Sequence, residues 1–395
     1  MDNSSVPGCK HVMTEGQALP PAVQTQVAGL NGEESRPRPC HINGRQAHRI
    51  LIVRPSAIGD VVMASPILRV LRASCSDARI CWLVEPHIVD VLKTNPCLDQ
   101  ILVWPKSTWV RFWKTGHLLK LLREVFGFIS TLRKERFDLA LDIQGLLRSR
   151  LLAWCTGAPV RVGFASKEPG RFLLTRVVSR GEDSDRMGSE YLHMIQTLGF
   201  EAGQFHPCLD IDAGDSVSAR EELKSAGISG RYVVFAPFTT RPQKHWFEER
   251  WRELAAGISQ RFGLPVVLLG GPADRDAARR ICNDGEVGIV SMAGRLSLAQ
   301  SMAVIREAGL LVGVDTGLTH MGPAFDRPTI ALFGATCPYR VTTRANTVVL
   351  HHQQPCSPCR RSPTCDGRYP CMQAISVDEV MASCVQLLSG TGEAA

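Results

Sequence analysis

Two successive series of short apolar runs alternating with helix-period stretches narrow what this chain can fold into more than any other feature. In the first series, Ile50 to Val53 reads as a strand, and Val61 to Leu71 places apolar residues three and four apart, as one helix face requires. Arg79 to Val84, Ile88 to Lys93, Gln100 to Trp104, Gly116 to Lys134 and Leu139 to Ile143 then continue strand, helix, strand, helix, strand. A helix is expected near Gly188 to Leu198. The second series runs Tyr232 to Ala236, Glu248 to Arg261, Val266 to Leu269, Asp274 to Cys282, Gly288 to Ser291, Leu298 to Arg306, Leu310 to Val314, Gly317 to Ala324 and Thr329 to Phe333. Strands alternating with helices build parallel sheets covered on both faces. The expected fold is therefore α/β, with two doubly wound domains facing each other over a cleft.

The expected boundaries are an N-terminal flexible extension over 1–47, a first domain over 48–205 and a linker region with one helix over 206–230. A second domain covers 231–355, a cysteine-bearing loop 356–371, and a C-terminal helix and tail 372–395. Ser376 followed by Glu379 is a capping box for that last helix. At 395 residues, 44% hydrophobic and 21% charged, the chain can build two cores. No run approaches the roughly 18–20 apolar residues that span a bilayer. The polar opening lacks the pattern of a signal peptide. Most of the fourteen cysteines are scattered through ordinary element patterns, which fits a reducing compartment, and the expected location is cytoplasmic.

Three loops follow predicted strands where they can line one cleft. In GVDTGLTH (313–320) a strand turns directly into a helix, whose first N–H groups lack internal partners and favour an anion. Alternatively, Asp315 and Thr316 only cap that helix. In RPSAIGD (54–60), Asp60 either accepts a proton from a bound hydroxyl or offsets the helix dipole. In PFTTRPQKHW (237–246), the hydroxyls of Thr239 and Thr240, with Arg241, Lys244 and His245, suit phosphoryl oxygens. LLGGPADRD (268–276) lacks both the Rossmann and the P-loop glycine patterns; Asp274 or Asp276 there either bonds a ribose or is simply solvated.

Taken in order, ILIVRPSAIGDVVMASPILRVLR (50–72, counting Ile50), DLALDIQGLLRSRLLA (138–153), TTRPQKHW (239–246), GVDTGLTHMGPAFDRPTIALFG (313–334) and the CxxC run ending in CMQAIS (371–376) resemble the bacterial glycosyltransferases that include the ADP-heptose:lipopolysaccharide heptosyltransferases, glycosyltransferase family 9. The resemblance covers residues 49–388. It implies a GT-B architecture of two Rossmann-like domains, acceptor on the first and nucleotide-sugar on the second, with the C-terminal helix crossing back to the first. It further implies inverting transfer of heptose from ADP-heptose to a lipopolysaccharide inner-core acceptor, with Asp60 as general base and no cofactor or metal in catalysis. Thr239, Thr240 and Lys244 match diphosphate contacts, Lys244 also sharing in catalysis, and Asp274 approximates a ribose contact. Asp315, Thr316, Gly317 and Leu318 match the turn at the diphosphate and sugar, and His320 the histidine after it. Pro55 and the segment TCPYR (336–340) depart from the pattern. A related transferase with another sugar or acceptor stays open. So do a dinucleotide-dependent oxidoreductase, disfavoured by the missing glycine motif, and a noncatalytic nucleotide-sugar binder.

Between Lys106 and Arg136 stand eight Lys or Arg against two Glu, with Trp104, Trp109, Phe112 and Trp113 nearby. The stripe Leu118, Leu119, Leu122, Val125, Phe126, Ile129 and Leu132 is expected to be largely core. The excess charge suits an anionic lipid or saccharide at the cytoplasmic face of the inner membrane. No nucleic-acid module accompanies it. Cys356, Cys359, Cys365 and Cys371 are spaced closely enough to hold a structural Zn²⁺ or an Fe–S centre, or they are free thiols or a disulfide in a surface loop. Nothing in the sequence sets an oligomeric state.

Overall fold

A computed structural model describes residues 41–42, 45–183, 185–282, 288–336, 339–359 and 362–389. The expected N-terminal extension lies almost wholly outside them. The first sheet contains β1 (Arg49–Val53), β2 (Arg79–Val84), β3 (Gln100–Val103), β4 (Leu139–Asp142), β5 (Val160–Phe164) and β6 (Arg176–Val178), all parallel, in the spatial order β3-β2-β1-β4-β5-β6. The second contains β7 (Val233–Ala236), β8 (Val266–Leu268), β9 (Ile289–Ser291), β10 (Leu310–Val314), β11 (Thr329–Phe333) and β12 (Thr347–His351), again parallel, in the order β9-β8-β7-β10-β11-β12. Both halves thus repeat one doubly wound order, which reverses between β1 and β4 and between β7 and β10. Ligands of such sheets bind beyond the strand C-termini at that reversal. Ile52 pairs with Trp82 and Leu141, and Gly313 with Ala236 and Ala331, so the strands that reach the cleft are central and buried on both faces.

The expected helix Val61 to Leu71 is two, α1 (Ile58–Ala64) and α2 (Pro66–Ser74). Pro66 has no N–H to continue the ladder, and Ser65 instead donates its hydroxyl to the Val62 carbonyl at 2.8 Å. Helices α3 (Lys106–Lys114) and α4 (Leu118–Lys134) form a hairpin between β3 and β4. Here the expected core stripe is corrected. Leu132 alone of that stripe is fully buried, while Leu118, Leu119, Leu122 and Phe126 are exposed. The stretch after β4 forms α5 (Leu147–Cys155), followed by α6 (Ser189–Thr197) and α7 (Ala213–Ser225). The second half adds α8 (Glu248–Phe262), α9 (Arg275–Cys282), α10 (Leu298–Glu307), α11 (Gly317–Ala324) and the last helix, α12 (Val377–Ser389).

Strands β5, β6 and β12 were not expected. Two of them form sheet edges, and β12 is only half-buried along its length, so it carries little hydrophobic signal. Helix α12 starts as foreseen, with the Ser376 hydroxyl accepting from the Glu379 N–H at 3.2 Å, although the Glu379 carboxylate turns to His352 at 2.9 Å. Its path differs from the expectation. Rather than bracing the first domain, α12 packs Val380, Cys384 and Leu388 with Trp251 and Leu254 of α8. Arg250 of α8 donates to the Ile375 carbonyl just before it, at 2.5 Å.

The two halves are joined elsewhere. Arg186 bridges Val341 in parallel, the Met187 N–H donating to the Val341 carbonyl at 2.9 Å. Lys93 of the first half pairs with Asp215 of α7 at 2.8 Å, and α7 lies on α10 through Arg220–Glu307 at 2.7 Å. One core cluster runs through both halves, from Ile52 to Tyr232 and Met321. No described helix is long and apolar enough to cross a membrane.

Candidate active site

The loops after β1, β7 and β10 meet at the two strand-order reversals, so α1 and α11 begin at the cleft with their N-termini opposed. They approach almost backbone to backbone. A Cβ on Gly59 would fall on the His320 ring, and one on Gly317 would stand 2.7 Å from Ile58 Cγ2 and 3.3 Å from the Gly59 amide nitrogen. Only glycine at both positions permits that contact. The two helix N-termini, whose first-turn N–H groups have no intrahelical partner, therefore stand side by side.

Asp315 is the hub on the second-domain side. Its Oδ2 lies 2.5 Å from Lys244 Nζ and accepts the Thr336 hydroxyl at 2.5 Å, while Oδ1 lies 3.5 Å from His320 Nε2. Burial pushes this carboxyl up, but the His320 hydrogen bond, the His320 charge interaction and Lys244 outweigh it and hold Asp315 below the usual carboxylate range. His320 Nδ1 meets the Tyr339 hydroxyl at 2.8 Å. Burial, with Asp315 nearby, pushes that phenol well up, so the hydroxyl keeps its hydrogen beside the ring. Asp315 is thus neither a free anion in the cradle nor a helix cap. Thr316 holds the N-cap position without a side-chain cap bond. Lys244 reaches Asp315 from the tight turn Pro242–Lys244, which His245 folds back by bonding the Thr239 carbonyl at 2.7 Å. Thr239 and Thr240 stand at the start of that turn, Thr239 half-buried and Thr240 exposed.

Asp60 answers from the first domain. Its Oδ2 pairs with Arg54 and accepts the Ala57 N–H at 3.3 Å, so among the described contacts Oδ1 is the oxygen left for a substrate. Arg54 escaped the sequence reading, although a lone arginine at the end of an apolar strand marked it. It is buried, donates to the Ile143 carbonyl at 2.7 Å and lies 5.8 Å from the Tyr191 ring centre. Burial pulls its guanidinium down, but Tyr191, Asp60 and Glu190 outweigh this and hold it above its ordinary value. Nearby, Gln144 Nε2 reaches the Ser56 hydroxyl at 3.5 Å, and Arg180 donates to the Gln144 carbonyl at 3.1 Å while pairing with Glu190. This makes a polar wall beside Asp60.

Asp274 closes its own turn, with Oδ2 accepting the Gly271 N–H at 2.7 Å; Asp276 pairs with Arg279 at 3.0 Å on the surface. Cys356, Cys359, Cys365 and Cys371 are all free thiols, and among the described residues no three metal-ligating side chains converge as a metal site. Their loop leans on the end of β11, where Ser357 donates to the Gly334 carbonyl at 2.5 Å.

The matched family model is glycosyltransferase family 9 (heptosyltransferase), over residues 125–369. The chain belongs to this family. It is 31% identical over 320 residues to a lipopolysaccharide heptosyltransferase 1 of Pseudomonas aeruginosa, covering 80% of this chain and 87% of that one. A family 9 glycosyltransferase from Veillonella parvula superposes with a TM-score of 0.74 at 23% identity, covering 87% of this chain and 98% of that one. An Escherichia coli heptosyltransferase solved with ADP-2-deoxy-2-fluoro heptose gives 0.65 at 24% identity, with 86% and 99% covered. Both structural matches share the GT-B fold. This family 9 glycosyltransferase is therefore a transferase enzyme of the heptosyltransferase class.

Proposed function

We propose that the enzyme moves a heptose from ADP-heptose to a lipopolysaccharide inner-core acceptor with inversion at the anomeric carbon. The observation that carries the reading is the opposition of Asp60, on one domain, to Lys244 and the α11 N-terminus on the other, across the Gly59–Gly317 contact. The names of the relatives and the ADP-heptose analogue bound to the Escherichia coli enzyme support the choice of sugar and donor.

In this reading the diphosphate lies against the N–H groups of Thr316 to Leu318, the hydroxyls of Thr239 and Thr240, and Lys244. The acceptor hydroxyl lies at Asp60 Oδ1. An alcohol is too weak an acid to give up its proton to a carboxylate beforehand. Proton transfer to Asp60 is therefore late, as the oxygen bonds to an oxocarbenium-like carbon and the bond to the diphosphate breaks on the opposite face. Arg54 keeps the carboxylate aimed. Positive charge for the departing diphosphate comes from Lys244 and the helix N–H groups, and Asp274 is assigned to the ribose on the family resemblance.

A nucleotide-sugar panel tests this. ADP-heptose is expected to raise the thermal unfolding midpoint more than UDP- or GDP-sugars do, and to yield ADP with a lipopolysaccharide-core acceptor. Preference for a UDP- or GDP-sugar in both readouts would overturn the donor assignment. Donor binding without transfer or hydrolysis would leave a noncatalytic binder.

A further inference from the structure

The α3–α4 hairpin exposes more large apolar side chains than the other helices of its sheet, six against the two of α5, Leu151 and Trp154. Its inner face is stitched to the domain by aromatic contacts, Trp104 to Trp109 at 6.0 Å and Trp109 to Phe128 at 5.5 Å between ring centres, and by buried Leu132. Its outer face stays apolar. Trp113 is 68% exposed, Leu119 84% and Phe126 66%, and Val110, Leu118 and Leu122 are exposed as well. On α4, Leu118, Leu119, Leu122 and Phe126 fall within about 100° of arc. Lys120, Arg123 and Lys134 border that arc on the side away from the domain, and Arg111 and Lys114 lie exposed on α3. An exposed aromatic and aliphatic stripe bordered by cations is the pattern of a helix lying in a lipid interface, apolar side down. The charge selects the surface: eight Lys or Arg against two Glu between Lys106 and Arg136 complement an anionic leaflet.

The hairpin is also tied to the catalytic loop. Lys106 at its root pairs with Glu85 at 2.9 Å, and the Glu85 N–H donates to the Pro55 carbonyl at 3.0 Å, within the loop that carries Arg54 and Asp60.

We propose that the α3–α4 hairpin is an interfacial anchor that sinks Trp113, Leu119 and Phe126 into an anionic phospholipid bilayer and so sets the Asp60 side of the cleft at the membrane surface. The anchor stands apart from the choice of sugar, because its test uses neither donor nor acceptor.

The full-length enzyme is floated with vesicles of phosphatidylcholine alone or mixed with phosphatidylglycerol, at low and high salt. The wild type is expected on anionic vesicles, with a blue shift of Trp emission that Trp113→Phe removes. The triple variant Trp113→Glu/Leu119→Glu/Phe126→Glu is expected to lose at least about tenfold in partitioning, with unchanged unfolding midpoint and ADP affinity. Lys114→Glu/Lys120→Glu/Arg123→Glu is expected to weaken binding similarly. Three results would overturn the proposal: a triple variant that floats like wild type, emission unaffected by vesicles, or a light-scattering dimer in wild type that the triple variant dissolves, which would make this face a contact between copies.

Discussion

Replacing Lys244 by Met tests the diphosphate cradle and its resting charge balance together. Lys244 and Asp315 side chains are 17% and 14% exposed, so solvent screens their pairing little. Removing one partner of a buried pair costs roughly 3–5 kcal/mol. Asp315 keeps the Thr336 hydroxyl and His320, and each bond to a charged group contributes about 1.5–3 kcal/mol, so the loss falls at the low end, about 3 kcal/mol. Urea unfolding at neutral pH reads this. The acid limb adds a second readout. The Asp315 pKa is depressed in the folded state, so its stability is fully present above the unfolded carboxyl value of about 3.9 and is lost as pH falls through the lower folded value. Without Lys244 the depression shrinks, so less stability is lost on acidification and the loss is complete at a higher pH, nearer ~4. Turnover is expected to fall by about 10²–10³, the cost of one oxyanion donor. The double variant Lys244→Met/Asp315→Asn recovers most of the stability, because no charge is left unpaired, but not the transfer. Full transfer by Lys244→Met despite its lost stability would reduce the lysine to a structural counter-ion. Unchanged stability would refute the pairing itself.

Three further outcomes follow from the same geometry. Asp60→Ala lowers kcat by about 10²–10⁴ while ADP affinity in calorimetry stays near wild type; near-wild-type turnover would remove Asp60 from proton transfer. Gly59→Ala places a methyl on the His320 ring and costs closure about 1–3 kcal/mol, seen as a roughly 5- to 150-fold loss in kcat/KM with ADP binding retained; an unaffected rate would mean that the two helix ends need not meet during transfer. Transfer persists in EDTA, since Lys244 and helix N–H groups supply the positive charge; activity that vanishes and returns only with Mg²⁺ would contradict this.

The sequence exposed some layers of this protein better than others, for physical reasons. The central strands were legible because strands buried on both faces must be continuously apolar, as β1, β7 and β10 are. The three cleft loops were legible because each follows such a strand. The edge strands β6 and β12 were not, since short segments at a sheet margin need little hydrophobicity, and β5, though internal and largely buried, was missed as well. Residue identities at the site were legible, but not their pairing. Lys244 and Asp315 lie in different loops, and only the fold brings their charges within 2.5 Å. The α4 stripe shows the deepest limit. Two adjacent apolar sectors share that helix, one of Val125, Phe128 and Leu132, the other of Leu118, Leu119, Leu122 and Phe126, with Ile129 at their seam. Periodicity reports that both are apolar, but not which one has a sheet beneath it. Once the first is spent on the domain, the second is left exposed. The same chain segment that looked like ordinary core then becomes the surface most in need of a lipid one.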